Sequence, residues 1–342
     1  MSRVGLIGAG RWAEMHLHAL RRIGTKVARV LVASEASAKR VQREWGVPSH
    51  LSLDAFLDGP LDAVIIASPN HLHAEQAIAA LRRGLHVLVE KPMALNVDDA
   101  ERMLREAETA GRVLAVGHEI RTFAWAEAVA KLLHDGTLGT PRHLALSLWR
   151  RPYRAGASGW KTDPAKLGSS ILEEPIHYLD LARWWLGEPR ALQAFATSRA
   201  GHEGRYENLD VRLWSNGAQA SVTRSIAAWG HRVEVSLVGD DGSFRACWSG
   251  AMDADPSPRV EAWLRLNDNR AEDRGAPPEP LELRAETGHA HDLPRQARAF
   301  LDAIQGRGAP LADGRDGLEA VRLCLAVQRS LREGERRVEL GD

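Results

Sequence analysis

The sequence predicts an α/β protein in two parts: a doubly wound parallel sheet, then an α+β unit with a large, mainly antiparallel sheet. Three observations predict it. Short apolar runs alternate with amphipathic segments over the first third of the chain. Beyond about residue 118, strand-like runs follow one another almost without intervening helices. The 342 residues are enough for two domains at about 150 residues each. The expected division is 1–119 and 120–342.

The elements follow in order. Val4–Ile7, Val27–Ala33, Ala63–Ala67, Leu85–Val89 and Val113–Val116 are apolar at most positions and rich in β-branched residues or leucine. Strands buried on both faces of a parallel sheet have that composition. Between them, Trp12–Ile23, Ala74–Arg83 and Val97–Ala110 have helical spacing, with Gly24, Gly84 and Gly111 at the expected C-caps. Short connections between alternating strands and helices give the doubly wound arrangement. Further on, Phe123–Asp135 is expected as a helix ended by Gly136. Strands are expected at His143–Arg150, Ala191–Thr197, Tyr206–Trp214, Ala218–Ile226, Val233–Val238 and Val260–Leu266, with Asn216-Gly217 as a hairpin turn. Helices over Ile176–Leu186, Leu293–Ile304 and Gly317–Leu331 complete the α+β pattern, and Asp268–Pro280 reads as an exposed loop.

Composition narrows the function classes. Lys+Arg and Asp+Glu both number 45, so the formal net charge is zero. A polyanion is therefore not the default partner, although a local basic patch is still compatible with that balance. Cys247 and Cys324 cannot build a thiolate zinc cage, and a chain of this size needs no disulfide. The pairs His16/His18, His71/His73 and His289/His291 lack a Cys/His partner set of zinc spacing, so no metal is expected. The apolar run after Met1 is too short for a signal peptide, and none approaches the roughly 20 residues of a membrane helix. These features predict a soluble cytoplasmic protein, with neither nucleic acid nor membrane as partner. Tryptophan is abundant, 11 against 5 Phe and 3 Tyr. Trp149, Trp160, Trp184, Trp185, Trp214, Trp229, Trp248 and Trp263 fall in the second part, most as core or interface residues, with Trp160 the one expected against a ligand.

Gly8-Ala9-Gly10-Arg11-Trp12-Ala13 follows the first strand and opens the first helix. This is G-x-G-x-x-A in the strand–turn–helix context of a dinucleotide fingerprint. Gly8 permits the tight turn, Gly10 the approach of a pyrophosphate, and Ala13 close helix packing. At the end of the second strand, Glu35 is placed to accept from a ribose 2′-hydroxyl and to repel a 2′-phosphate, which favours NAD. An acid in the first turn of a helix is also ordinary, and Ser34, Lys39 and Arg40 are the residues that would accommodate NADP. Glu90-Lys91-Pro92 places Lys91 at the carboxyl end of a strand, where open α/β sheets bind ligands. Glu173-Glu174-Pro175-Ile176-His177 places His177 in a first helical turn near two acids. That is a general-base arrangement, or else an ordinary pair of helix-capping charges. Arg150, Arg151 and Arg154 form a dense basic run that suits a carboxylate or phosphate as well as it suits a solvated loop.

Taken together these residues resemble the glucose–fructose oxidoreductase / inositol dehydrogenase / rhizopine catabolism (Gfo/Idh/MocA) family. The matching segments run almost end to end. They are the Gly8–Trp12 turn with His16, Ser68-Pro69-Asn70 with His73, Glu90-Lys91-Pro92, Gly136-Thr137-Leu138-Gly139, Gly159-Trp160-Lys161, His177-Tyr178-Leu179-Asp180, Ala299–Ile304 and Asp316-Gly317. The resemblance implies hydride transfer between NAD(P) and a secondary alcohol or ketone of a sugar, inositol or related polyol. An antiparallel sheet with one uncovered face supports a homodimer or homotetramer formed through the C-terminal sheet. Catalysis falls to Lys91 and His177, with Glu173 orienting the histidine. Cofactor binding falls to Gly8, Gly10, Arg11, Trp12, Ser34, Glu35, Ser68, Asn70, His73, Glu90, Lys91 and Pro92. Substrate binding falls to Lys91, Arg121, Tyr153, Trp160, Lys161, Glu173 and His177. Three features depart from the pattern: Glu173 replaces the usual aspartate, Pro175 stands where glycine is common, and the glycine-rich approach is altered to Gly168-Ser169-Ser170. A carboxylate one methylene longer must sit differently to reach the same imidazole. Two other functions compete, an NAD-dependent glycosidase working through transient oxidation and a non-catalytic nucleotide or sugar sensor.

Overall fold

The computed structural model describes residues 2–151, 160, 163–198, 206–228, 230–250, 258–267, 277–284 and 292–341. They form two compact units, one of Met1–Glu119, Ser158–Gly168 and Leu293–Arg322, the other of Ile120–Ala157, Ser169–Asp292 and Leu323–Asp342.

The first unit is built on six strands, β1 (Val4–Ile7), β2 (Val27–Leu31), β3 (Ser49–His50), β4 (Ala63–Ile66), β5 (His86–Glu90) and β6 (Leu114–Gly117). They run parallel in the order β3-β2-β1-β4-β5-β6. Every residue of β1, β4 and β6 is buried, as their continuous apolar runs require. The connecting helices include α1 (Arg11–Arg22), α2 (Glu35–Trp45), α3 (Leu53–Leu57), α4 (His73–Arg82) and α5 (Val97–Ala110). Ser34 and Asn96 cap α2 and α5 with their side chains, and left-handed Gly46 and Gly111 end them. The strand order reverses between β1 and β4, so the crevice beyond their carboxyl ends is the ligand-binding edge of such a sheet. Ala13, Leu17 and Leu20 of α1 share a core with Leu6, Val30 and Ile65. Ala297, Phe300 and Leu301 from a late helix complete that core.

The second unit carries β7 (Pro141–Trp149), β8 (Ala191–Ser198), β9 (Tyr206–Ser215), β10 (Ala218–Ser225), β11 (Arg232–Gly239), β12 (Gly242–Ser249), β13 (Arg259–Leu266), β14 (Glu279–Pro280) and β15 (Val338–Glu339). Their order is β14-β13-β12-β11-β7-β10-β9-β8-β15, antiparallel except for β7 beside β10. Asn216 and Gly217, with φ of 30° and 85°, turn β9 into β10 as the sequence predicts. β12 is an addition to the expected set. Asp240-Asp241 links it to β11, and Phe244, Ala246 and Trp248 alternate into the core. Leu144, Leu146 and Leu148 of β7 point the same way. On the opposite face of the sheet stand Trp149 and Val238, 49% and 45% exposed, together with Phe195. The remaining helices are α6 (Ala124–His134), α7 (Pro164–Leu167), α8 (Ser170–Glu173), α9 (Pro175–Leu186), α10 (Leu293–Ile304) and α11 (Gly314–Arg332). No helix among the described residues is long and apolar enough to cross a membrane.

Candidate active site

The first unit assembles its site where β1, β4 and β5 end. Gly8 has φ of +113°, and a β-carbon there would stand 2.6 Å from the Ala67 carbonyl oxygen. The turn after β1 therefore presses against the turn after β4 so closely that only glycine fits. Gly10 caps α1 in extended conformation without a side-chain bond, and a β-carbon on it would meet no protein atom within 4 Å. The helix N-terminus and its amides thus face open space, a cradle a pyrophosphate fits and a side chain would fill. Arg11 is exposed beside it and Trp12 half-buried.

The residues expected at a ribose lie at the start of α2 and along it. Ser34 Oγ accepts from the Ser37 amide at 3.2 Å and donates to Ser37 Oγ at 3.1 Å. The Arg40 guanidinium donates to the Ala9 carbonyl and to Glu44 (3.3 Å), and lies 5.5 Å from the Trp45 ring centroid. Glu35, the first residue of α2, is exposed.

Behind this edge lies a set of buried polar groups. Ser68 Oγ bonds Gln76 at 2.6 Å, and the Asn70 amide donates to the Leu167 carbonyl at 3.1 Å. His73 begins α4 and is buried, with Nδ1 2.8 Å from the Pro92 carbonyl and Nε2 2.9 Å from the Ser68 carbonyl. Its burial outweighs those carbonyl bonds and the nearby Glu90 charge, and holds the ring below the usual histidine pKa. The Glu90 carboxylate is buried and accepts from His16 Nε2 at 2.6 Å. A β-carbon at Gly117 would stand 2.8 Å from Glu90 Oε2, so that glycine makes room for the acid. Lys91, half-buried, stands between these two anchored residues. Thus Ser68, Asn70, His73 and Glu90 turn their side chains to the protein itself, where the sequence suggested cofactor contacts.

In the second unit, His177 is buried in α9, which starts at Pro175 as its ring geometry favours. Glu174, with φ −130° and ψ −44°, breaks the chain between α8 and α9. Glu173 and His177 therefore do not share one continuous helix. Glu173 is half-buried, whereas Glu174 is buried, bonded by Arg150 and 3.7 Å from Arg224. Arg150 is accordingly engaged with the protein's own acid. Arg121 is also engaged: Nε and Nη2 bond the two Asp180 oxygens at 2.8 and 2.6 Å, with both residues 3% exposed or less. Its guanidinium also lies 5.1 Å from the Trp184 ring centroid. The fork proposed for substrate is thus occupied by Asp180.

Trp160 is half-buried. Tyr153, Arg154, Lys161, Trp229, His289 and His291 lie outside the described residues. Among the described residues no three His, Cys, Asp or Glu groups could hold a metal ion. Sequence reasoning names His16 and Asp180 within matching segments but not their bonds to Glu90 and Arg121, and it missed Gly117 and the link from Arg40 to Ala9. A glycine after the expected strand Val113–Val116 was the local signal for Gly117.

Two family models match the chain. The oxidoreductase family with an NAD-binding Rossmann fold matches residues 2–118, and the C-terminal α/β domain of the same family matches 130–340. A 1,5-anhydro-D-fructose reductase of Ensifer adhaerens is 31% identical, over 98% of both chains. An inositol 2-dehydrogenase of Rhizobium meliloti is 28% identical over 97% of both. A levoglucosan dehydrogenase, solved with NADH and levoglucosan, has the same fold, with a TM-score of 0.84 to 0.86 across its structures, 21–22% identity, and 99–100% of each chain covered. The dinucleotide cradle, the parallel sheet beneath it and the antiparallel sheet that follows therefore belong to an NAD(P)-dependent enzyme, and the chain is a member of the Gfo/Idh/MocA oxidoreductase family.

Proposed function

We propose that this oxidoreductase moves a hydride between nicotinamide and a secondary alcohol or ketone of a sugar, an inositol or a related polyol. The observation that carries the reading is the position of Lys91. It follows β5 directly, on the same carboxyl edge of the sheet as the open Gly8–Gly10 turn. The two relatives support the substrate class, since one is named for an anhydro-sugar and the other for an inositol, both rings bearing secondary alcohols. NAD is the favoured cofactor. Of the three residues suited to a 2′-phosphate, Ser34 and Arg40 are bonded within the protein and Lys39 is exposed, while Glu35 is exposed at the start of α2 and free to accept from a ribose 2′-hydroxyl.

When bound, the nicotinamide supplies the acceptor for the electron pair of the carbinol C–H bond. Lys91 donates to the hydroxyl oxygen, and the His177 imidazole takes the hydroxyl proton as the carbonyl forms. In reduction His177 returns that proton. Glu173 orients the ring, and Tyr153, Trp160 and Lys161 border the sugar. Positioning and acid–base transfer together account for most of the acceleration. In this reading residues 1–119 hold the cofactor, and 120–342 hold the substrate and the assembly surface.

The test is a panel of sugars, inositols and sugar acids with NAD and NADP, followed at the nicotinamide absorbance. Reduction of NAD by at least one polyol is the expected result, and no signal with any polyol refutes the substrate class. Faster turnover with NADP overturns the cofactor preference alone. A cytoplasmic location suits Cys247 and Cys324, both free thiols. The apolar residues Trp149, Val238 and Phe195 on one sheet face support a homodimer or homotetramer. Light scattering should then give two or four times the monomer mass, and a monomer refutes the assembly.

A further inference from the structure

We propose that His73 is a positioning residue for Lys91, acting through the Pro92 carbonyl. The inference rests on the reading that Lys91 meets the substrate. Pro92 lacks a backbone N–H, so the peptide after Lys91 has no donor of its own with which to bond the sheet or the neighbouring turn. The carbonyl of Pro92, in the next peptide, also needs a donor, and His73 Nδ1 stands 2.8 Å from it. On the other side, the Glu90 carboxylate meets His16 Nε2 at 2.6 Å. One imidazole thus holds the side chain of the residue before Lys91, and a second, from another helix, holds the main chain of the residue after it. The side chain between them is only half-buried.

The chemistry of the ring sharpens the assignment. Both groups facing His73 are carbonyls, which only accept. Glu90 and Lys91 are the charged groups that act on it, with opposite effects, and burial dominates both. A ring kept neutral by burial has one N–H and satisfies one carbonyl at a time. In this proposal that proton is on Nδ1, whose contact with the Pro92 carbonyl is 2.8 Å, against 2.9 Å from Nε2 to the Ser68 carbonyl. Ser68 lies on the turn after β4, and Gln76 also bonds its side chain.

The assignment can be separated from a purely structural role by isosteres. In His73→Asn the amide nitrogen falls near the Nδ1 position and can still donate to Pro92. In His73→Gln it falls near Nε2 and reaches Ser68 instead. His73→Leu removes both ring nitrogens and leaves neither carbonyl a donor. The expected result is a fall in kcat of about 10- to 100-fold in the Leu and Gln variants, as for a reacting group misplaced by about 1 Å. His73→Asn should recover to within about fivefold, and KM for NAD should change less than about threefold in all three. Recovery in Gln equal to that in Asn overturns the proposal, as does an unchanged kcat in His73→Leu.

A second readout does not depend on turnover. The chain has only six lysines, at 26, 39, 91, 131, 161 and 166. Reductive ¹³C-methylation therefore gives few signals, and loss of one in Lys91→Arg identifies Lys91. That signal should move in His73→Leu and His73→Gln and stay in place in His73→Asn. An unmoved signal in all three overturns the proposal. Normal turnover in Lys91→Ala would instead defeat the catalytic reading of Lys91, whatever the methyl signal shows.

Discussion

Lys91→Ala and His177→Ala should each lower turnover by about 10²–10⁴-fold, the usual contribution of a positioned acid–base group. NADH affinity, measured by calorimetry or by quenching of tryptophan fluorescence, should stay within a few-fold of the parent. The reason for this split is structural. The pyrophosphate cradle is made by Gly8, Gly10 and the N-terminus of α1, and none of its geometry depends on either side chain. Lys91 is anchored through its neighbours, Glu90 and Pro92, so truncating its side chain leaves those anchors in place. His177 is buried in the first turn of α9, where alanine is tolerated by the helix. Full activity in either variant would refute the proposed mechanism. A loss of NADH binding equal to the loss of turnover would show that the residue serves the cofactor and not the proton.

The alternation of strand and helix in the first third was legible because it is written in local sequence. β1 and α5 fall at the expected residues, and most other boundaries shift by one or two. β12 was legible too, since Phe244, Ala246 and Trp248 alternate after an Asp-Gly pair, a strand and hairpin signal that the sequence reading passed over. The site was legible only as a set of positions. Lys91 and His177 could be named from the residues around them, but not what holds them. His16 reaches Glu90 across 74 residues, and Arg121 reaches Asp180 across 59. No periodicity or capping rule encodes such pairs, because tertiary packing brings them together. The same limit explains Arg121. From sequence it is a cation near the substrate segment, whereas in the fold its fork is closed by an aspartate.

That closure predicts a stability effect where the sequence suggested a binding effect. Arg121 and Asp180 form a bidentate pair with almost no exposure to water. Removing one partner of a buried, hydrogen-bonded ion pair costs about 3–5 kcal/mol. Arg121→Ala takes both of these bonds from Asp180, with Arg183 at 4.0 Å. Asp180→Ala takes them from Arg121, whose guanidinium lies against the face of Trp184. Chemical denaturation should therefore show a clear fall in midpoint for both single variants, at an unchanged slope. Replacing both at once, Arg121→Met with Asp180→Leu, should recover much of the loss, since two well-packed apolar side chains avoid the desolvation that the ion pair must offset. A substrate-binding arginine behaves differently: its truncation raises KM and leaves the midpoint alone. Asp180 and Trp184 lie three and seven residues after His177, on one face of α9. Losing the pair should thus loosen the helix that carries the proposed base, and kcat should fall with stability in the single variants. An unchanged denaturation midpoint in Arg121→Ala, with KM raised, would return Arg121 to the substrate and show that its bond to Asp180 opens in solution.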